Sequence, residues 1–575
     1  MTTPALSDSR LAATGARTIR DVYHEFDGRF RIITRRAPIR FVGRDWKGMT
    51  ADAGERLDLY PKMANEAAHH VRRTLQDRTE DRQIWASMKA VYSSLIQERE
   101  DWELAETFFN SVTRRIFAQS GVDPGIEFVD TDFDTPPHEA AKAVYRDYAD
   151  LPIPDLLRHI MLDAGFERFR SLEDDCRLAA TRIEAHLRRS RALRVVDRAE
   201  VSEAVFYRGK AAYLVGRLYS GSQVFPLALA LLHPPEGITL DAVLLTENQL
   251  SVLFSFTRSY FHVDARRPYD LVRFLHSLMP HKRLAEIYIA IGHNKHGKTT
   301  LYRELRQHLA STGERFVIAR GARGLVMVVF TLPGFDVVFK VIKDHFPAPK
   351  RTSRSDVRAR YRLVFRHDRA GRLVDAQEFE HLRFSAERFA PDLVELLQAE
   401  CGRSVTQHGG DLIIAHAYVE RRVIPLDIYL RDSDQGAARE ATIDYGQAIK
   451  DLAASGIFPG DLLIKNFGVT RNRRVVFYDY DELTTLDRCV FRELPAPTTP
   501  DEEMAADPWF AIGPDDVFPE EFASFLGVDG WLREAFLEHH ADLLDPTTWR
   551  RIQAQVRAGE LIEIFPYIQD ARLRS

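Results

Sequence analysis

Cysteine is nearly absent: the 575 residues hold three, Cys176, Cys401 and Cys489. They are far apart and odd in number, and no CxxC pair occurs. This excludes a disulfide framework or a cysteine-built zinc site and fits a reducing, cytoplasmic setting. Long apolar runs are also missing. The longest, Val224 to Leu232, has nine residues and includes Pro226, whereas a membrane-spanning helix needs about 20. It reads as a buried strand, and no membrane contact is expected. Charge of one sign is not in excess either. The 79 basic and 84 acidic residues leave a net charge of −5, which gives no global attraction to nucleic acid or anionic lipid, so any affinity for phosphate must be local. The N-terminus is rich in Ala, Thr and Arg, as transit peptides are. Asp8, Asp21, Glu25 and the lack of an apolar signal core argue against targeting; the first residues read as a frayed tail leading into a helix.

The composition, 45% hydrophobic and 28% charged, is that of a folded chain, and its length exceeds what one core sustains, so two or more domains are expected. The first 190 or so residues read as helical. Tyr60, Met63, Ala64, Ala67, Ala68, Val71 and Leu75 fall on one helical face, and Trp102–Phe117 repeats the pattern. His69 and His70 lie about 100° apart on such a helix and cannot share a metal as an i,i+4 pair would. From Val201 the runs become β-like, with Ser220-Gly221-Ser222 as a turn, and an apolar, aromatic stretch continues through Ser251–Asp264. Further strands are expected within 311–345. An Arg-rich polar stretch, Lys350–Arg372, follows, then a helix over Ala376–Phe389, a strand at LIIAHAYV and helices to about Ser455. This divides the chain into a mainly helical domain, residues 1–310, with strands from about 200, and a second domain, residues 311–575.

The chemistry concentrates in the second domain. In Phe458–Glu482, FPGDLLIKNFGVTRNRRVVFYDYDE, Asp461 precedes Asn466 by five residues, the Asp-to-Asn offset of the protein-kinase catalytic loop. There the aspartate takes the proton of the attacking hydroxyl and the asparagine binds a metal ion. Two strands turning at Thr470–Arg473 then deliver Asp479, thirteen residues after Asn466, as a second magnesium ligand. Upstream, FDVVFKVIK puts Lys340 inside an apolar strand, where its charge must meet an anion; kinases use such a lysine on nucleotide phosphates. The turn Ala319-Arg320-Gly321-Ala322-Arg323-Gly324-Leu325 before it lets backbone amides approach phosphates. Glu378 and Glu380, on the expected helix, are both candidates to pair with Lys340.

These strings, TLPGFDVVFKVIKDHF, FPGDLLIKNFGVT, VVFYDYDE and DDVFPEEF, with ETFFNSV and FYRGKAAYLVGRL earlier, resemble the isocitrate dehydrogenase kinase/phosphatase family over about residues 100–540. The resemblance implies an α+β chain: a bilobed protein-kinase-like C-terminal domain behind a mainly helical regulatory domain containing a small β-sheet. It implies one active site that phosphorylates and dephosphorylates a serine of isocitrate dehydrogenase, controlling entry to the glyoxylate bypass, with ATP and Mg²⁺ as cofactors, ADP for the phosphatase direction and an AMP-type effector. Matching positions carry the ATP loop onto Ala319–Leu325, the phosphate lysine onto Lys340 and the phosphatase-associated residue onto Asp375. Lys465 is assigned to neutralise charge on the transferring phosphoryl group. The chain departs from ordinary kinases in lacking the H-R-D histidine and arginine before Asp461 and any A-P-E motif. Oligomeric state is not legible; a homodimer stays open, as does a docking role for Pro508-Trp509-Phe510.

A rival motif occupies Ala285–Leu305. Gly292-x4-Gly297-Lys298-Thr299 matches the Walker A pattern, between what reads as a strand and a helix. No βαβ repeat follows to build the parallel sheet of a P-loop enzyme, so the loop is expected to be non-catalytic. A catalytically silent kinase-like protein is the other alternative, and retention of Lys340, Asp461, Asn466 and Asp479 together weighs against it.

Overall fold

The computed structural model describes residues 7–574 apart from 118–120, 130–142, 193–194, 257–259, 322, 349, 351, 368, 497–498, 500–509 and 529. The chain forms two compact units: Met1–Gly313 with His381–Arg383 and Phe565–Ser575, and Glu314–Glu380 with Phe384–Ile564.

The first unit begins with the helices α1 (Asp8–Thr34), α2 (Ala37–Val42), α3 (Trp46–Leu75), α4 (Arg82–Ile96) and α5 (Trp102–Ile116). Asp45 and Asp81 start α3 and α4 by accepting backbone N–H bonds, from Gly48 at 2.9 Å and from Gln83 at 3.0 Å. The apolar faces of α1, α3, α4 and α5 meet in a core containing Tyr23, Met63, Trp85, Phe108 and Phe109. Met63, Ala64, Ala67, Ala68, Val71 and Leu75 are all buried there, as their spacing requires. After β1 (Tyr145–Ala149), α6 (Ile153–Asp163) and α7 (Leu172–Arg189) come β2 (Arg198–Ser202), β3 (Phe206–Arg208), β4 (Ala211–Ser220), β5 (Gln223–Leu232) and β6 (Thr239–Leu244). They form an antiparallel sheet in the order β1-β2-β4-β5-β6, with β3 beside β4. Ser220 pairs with Gln223, so Gly221 and Ser222 make the two-residue turn, with Gly221 at φ +58°. The unit continues as α8 (Glu247–Leu253), α9 (Pro268–Leu278), α10 (Leu284–Ala290) and α11 (Asn294–Ser311).

Here the structure corrects the reading of Ala285–Leu305. AEIYIAI is a helix, not a strand, and α10 packs directly on α11. Gly297 is the contact point: a Cβ there would lie 2.5 Å from Ile289 Cγ1 and 2.6 Å from the Ala285 carbonyl oxygen. The second glycine of the Walker pattern serves close helix packing, and Lys298 lies inside α11. No strand feeds this loop, so it is not a P-loop.

The second unit opens with a sheet of β7 (Val317–Ile318), β8 (Met327–Leu332), β9 (Phe335–Ile342), β10 (Ala376–Ser385), β11 (Val405–His408) and β12 (Asp411–Arg421), in the order β10-β12-β9-β8-β7 with β11 beside β12. Between β9 and β10 runs α12 (Arg354–His367), where the sequence reads only as a polar stretch. The segment expected to be a helix, Ala376–Phe389, is instead β10 and a short 3-10 turn, Ala386–Arg388. Its burial alternates with a strand's period on either side of a phase change at His381 (φ +53°): Gln377 and Phe379 are buried before it, Leu382 and Phe384 after it. α13 (Pro391–Glu400) precedes β11. After β12 the chain passes through β13 (Ile424–Pro425) into α14 (Leu426–Asp432) and α15 (Gln435–Ala454), then β14 (Ile457–Phe458), β15 (Phe467–Val469) and β16 (Val475–Phe477). With the helices Gly530–His540 and Pro546–Arg557 these form a second lobe whose core holds Tyr445, Phe467, Phe477 and Trp549. A small β-lobe before a larger helical lobe is the bilobed α+β arrangement expected.

Cys176, Cys401 and Cys489 are all buried thiols without disulfides. Among the described residues no helix is long and apolar enough to cross a membrane. His69 and His70 lie on α3, and no group of three or more His, Cys, Asp or Glu among the described residues is placed to hold a metal ion.

Candidate active site

The site is a cavity of about 400 Å³ in the second unit. One wall comes from the sheet. β7 and β8 are joined by the Ala319–Val326 segment, with the Ala319 N–H donating to the Val329 carbonyl at 3.0 Å. Gly321 sits at φ +120°, open only to glycine. Ala319, Arg320, Gly321, Arg323, Gly324 and Leu325 all line the cavity. Ala322 lies outside the described residues.

Lys340 projects from β9 beneath this loop. It is 7% exposed, and its ammonium meets the Glu420 carboxylate at 2.7 Å and donates to the Tyr478 carbonyl at 2.8 Å. This corrects the expected partner. Glu378 and Glu380 lie on β10, and Glu378 is bound by His416 Nε2 at 2.6 Å. The true partner follows from register: Lys340 pairs with Tyr418 and Val338 with Glu420, so Lys340, Tyr418 and Glu420 share one face of the sheet. Burial pushes the Glu420 carboxyl above its ordinary range, and Lys340 pulls it back down. Tyr361 of α12 donates to the other carboxylate oxygen at 3.1 Å and stacks on Tyr418 at 3.7 Å.

The opposite wall is the segment from β14 to Glu482. Gly460 has φ +82°, and a Cβ there would lie 2.3 Å from the Glu482 carbonyl oxygen, so glycine lets the loop close onto the Asp479–Glu482 segment. Asp461 follows, its carboxylate accepting the Leu463 N–H at 3.0 Å. The Asn466 amide nitrogen donates to the Asp461 carbonyl at 3.3 Å, which leaves the side-chain oxygen as the free acceptor. The buried Tyr445 of α15 donates to the Leu462 carbonyl and ties the loop to the helical lobe. β15 and β16 pair through a turn at Thr470–Arg473, with Arg473 at φ +59°, and return the chain to Asp479. Asp461, Lys465, Asn466 and Asp479 all line the cavity that Lys340 enters.

Two charged groups there escaped the sequence reading. Asp481 stands two residues beyond Asp479, and burial, with Asp479's like charge, pushes its carboxyl up to about 7. Lys350, from the segment before α12, pairs with Glu482 at 2.6 Å. A cation between the paired carboxylates would relieve their repulsion. Magnesium binds through one or two carboxylates, with water and phosphate oxygens completing its shell; Asn466, Asp479 and Asp481 fit that donor set.

Asp375 is placed differently. It precedes β10, half-buried, and accepts from Gln377 Nε2; it is not part of the cavity wall. Its neighbour Val374 donates to the Phe477 carbonyl at 3.1 Å and accepts from the Tyr480 hydroxyl, so it adjoins the Asp479–Asp481 segment from outside.

Residues 314–569 match the family model described as isocitrate dehydrogenase kinase/phosphatase (AceK) kinase domain, and residues 16–313 match the regulatory domain of the same family. The chain is 51% identical to an isocitrate dehydrogenase kinase/phosphatase of Anaeromyxobacter sp. (strain Fw109-5), over 98% of both chains. It is 49% identical to that of Anaeromyxobacter dehalogenans (strain 2CP-C), over 98% of each, and 42% identical to that of Xanthomonas campestris pv. campestris (strain 8004), over 99% of each.

Proposed function

From the membership of this chain in the isocitrate dehydrogenase kinase/phosphatase family, we propose that it transfers the γ-phosphoryl group of ATP to a serine of isocitrate dehydrogenase and also removes it. The observation that carries this reading is the convergence of Lys340, Asp461, Asn466 and Asp479, from separate segments, on one cavity. Catalysis is then mainly positioning and charge stabilisation.

ATP lies beneath the Gly321–Gly324 loop, with Lys340 on its phosphates. Asn466 and Asp479, with Asp481 beside them, would hold the magnesium ion, which would supply charge neutralisation on the phosphate oxygens. Asp461 accepts the proton of the substrate serine hydroxyl as its oxygen bonds to the γ-phosphorus and the bond to the ADP oxygen breaks. Lys465, exposed at the cavity rim, steadies the charge of the group in transit. In the reverse activity, run with ADP in the same cavity, water takes the phosphoryl group from phosphoserine and gives inorganic phosphate and the free serine. Asp375 serves that step. The protein acts in the cytoplasm, where its substrate's activity sets entry to the glyoxylate bypass.

The test is incubation with labelled ATP, Mg²⁺ and purified isocitrate dehydrogenase, followed by a chase with unlabelled nucleotide. Label should enter the dehydrogenase and leave it as inorganic phosphate. No incorporation overturns the reading; incorporation without release overturns its phosphatase half.

A further inference from the structure

One face of α12 borders a second cavity, of about 520 Å³, lined by Arg354, Ser355, Arg358, Arg362, Glu378 and Tyr418. Arg358 and Arg362 are exposed and one helical turn apart, so their guanidinium groups lie on the same face. Neither forms an ion pair with any described residue; Arg362 Nε donates only to the Arg358 carbonyl, at 3.3 Å. Arg354, in contrast, is committed to Asp344 at 2.8 Å and to Ser404 Oγ at 2.5 Å. The acid in the wall, Glu378, is bound by His416. Tyr418 supplies an independent sign. It is 1% exposed, yet its hydroxyl makes no hydrogen bond with a described residue; burial and the Glu378 carboxylate push the hydroxyl's pKa up, while Arg358 and Arg362 pull it down.

We propose that this cavity binds a small dianion, the phosphate or paired carboxylates of a metabolite, through Arg358, Arg362 and the Tyr418 hydroxyl. Arginine forks match such oxyanions in planar, bidentate fashion, and the cavity volume fits a small organic ligand. Other side chains of α12, Tyr361 one turn from Arg358 among them, explain what occupancy does. Tyr361 stacks on Tyr418 and donates to Glu420, the partner of Lys340, and Arg360 donates to the Asp481 carbonyl. An anion drawing Arg358 and Arg362 toward Tyr418 braces α12 against β12 and keeps the Lys340–Glu420 pair assembled for nucleotide. The site is thus an effector site built on the kinase lobe itself.

Equilibrium dialysis with radiolabelled inorganic phosphate reads the site without turnover. The full chain is saturated with Mg²⁺ and the non-hydrolysable analogue AMP-PNP, so that the nucleotide cavity is filled. Wild-type protein should bind one equivalent. R358Q/R362Q should bind about tenfold or more weakly, the order expected for losing charge-assisted hydrogen bonds, and Y418F should lose about threefold. Both arginines are exposed, so an unchanged melting curve will show the double variant to be folded. Unlabelled malonate distinguishes the ligand classes: displacement of the label assigns the site to dicarboxylates as well as phosphates, and persistence of the label assigns it to phosphates. Separately, phosphate should tighten AMP-PNP binding about threefold in wild type and leave R358Q/R362Q unchanged. Equal phosphate binding by wild type and double variant overturns the site, as does no binding by wild type up to about 10 mM. Phosphate that weakens AMP-PNP equally in both proteins is competing in the nucleotide cavity and overturns the coupling. None of these readouts requires isocitrate dehydrogenase, so the proposal stands or falls separately from the identity of the protein substrate.

Discussion

The ammonium of Lys340 and the carboxylate of Glu420 stand 2.7 Å apart on neighbouring strands, both buried, with Tyr361 holding the second carboxylate oxygen. A lysine in this position is oriented by its partner, and α12 reaches the pair through Tyr361. Glu420→Gln removes the countercharge while keeping shape and most hydrogen bonding. Leaving a buried charge unpaired costs about 3–5 kcal/mol, shared between stability and nucleotide binding. The expected result is a rise of about tenfold or more in the ATP KM, 1.4 kcal/mol or more of binding, with Tyr361→Phe showing a smaller rise in the same direction. Unchanged ATP kinetics in Glu420→Gln would show that the pair is structural only.

Asp461→Asn should abolish phosphoryl transfer while AMP-PNP still binds, because the acid serves the incoming hydroxyl rather than the nucleotide. A variant retaining more than about a tenth of the wild-type rate, a barrier change below roughly 1.4 kcal/mol, removes Asp461 from that role. Asn466→Ala and Asp479→Ala should instead raise the Mg²⁺ concentration needed for half-maximal rate.

What the sequence disclosed and concealed follows one physical rule. Asp461, Asn466 and Asp479 were legible because a loop and a two-strand turn fix their relation locally. Glu420 was not, because its contact with Lys340 exists only once β12 pairs with β9, and nothing near either residue announces that register. An acid inside the apolar strand LIIAHAYVE was nonetheless a signal, since it needs a countercharge as much as Lys340 does. α12 was hidden by its own arginines. Its buried stripe among the described residues is Val357, Tyr361 and Val364, too sparse to outweigh the polar residues around it. IYIAI of α10 misled in the opposite sense: a short, wholly buried apolar run satisfies both strand and helix periods.

The Walker-like segment yields a prediction that separates sequence pattern from structure. Lys298→Ala should leave ATP turnover essentially unchanged, because Lys298 lies in a helix and no strand-to-helix phosphate loop exists here. Gly297→Ala should instead destabilise, because its methyl would enter Ile289 and the Ala285 carbonyl; overpacking of this kind costs about 1–3 kcal/mol. Thermal melts and ATP turnover of the two variants check the pair. Loss of turnover in a well-folded Lys298→Ala protein contradicts it.

Acid should weaken the kinase unit through His540. This buried imidazole packs against Gly446, and its Nε2–H donates to the Ile443 carbonyl at 2.8 Å. Burial, with Lys450 nearby, lowers its pKa to about 4. The unfolded chain takes up this proton near pH 6.5 and the folded chain only near 4, so stability is full above about 6.5 and declines as pH falls through that window. His540→Gln should flatten this decline. A change of about 1 kcal/mol moves the midpoint of a domain of this size by roughly 2–4 °C, so melts at pH 7.5, 6 and 5 resolve it. Identical pH slopes for the two proteins assign the decline to other groups.

Asp375→Asn should separate the two activities, sparing the kinase and disabling the phosphatase. Forward transfer has its base in Asp461 and its metal ligands in Asn466 and Asp479, so it does not need a further acid. Hydrolysis must place a water in line with the phosphoryl group, a task that constellation does not supply. Helix capping is not a competing account, because Asp375 leads into β10 and not into a helix. A structural role, in part through Gln377, whose amide it accepts, is the competing account. Gln377→Leu isolates that role by deleting the donor and keeping the carboxylate. If Asp375 acts chemically, Asn and Ala at 375 both lose phosphate release, Gln377→Leu retains it, and incorporation is near wild type in all three. An amide cannot take a proton from water, which is why Asn should fail as fully as Ala. Asp375 is outside the cavity wall but adjoins the Asp479–Asp481 segment through Val374 and Tyr480, so its loss should not alter the ATP KM. Equal loss of both activities, or phosphate release failing in Gln377→Leu as in Asp375→Ala, would return Asp375 to a supporting role.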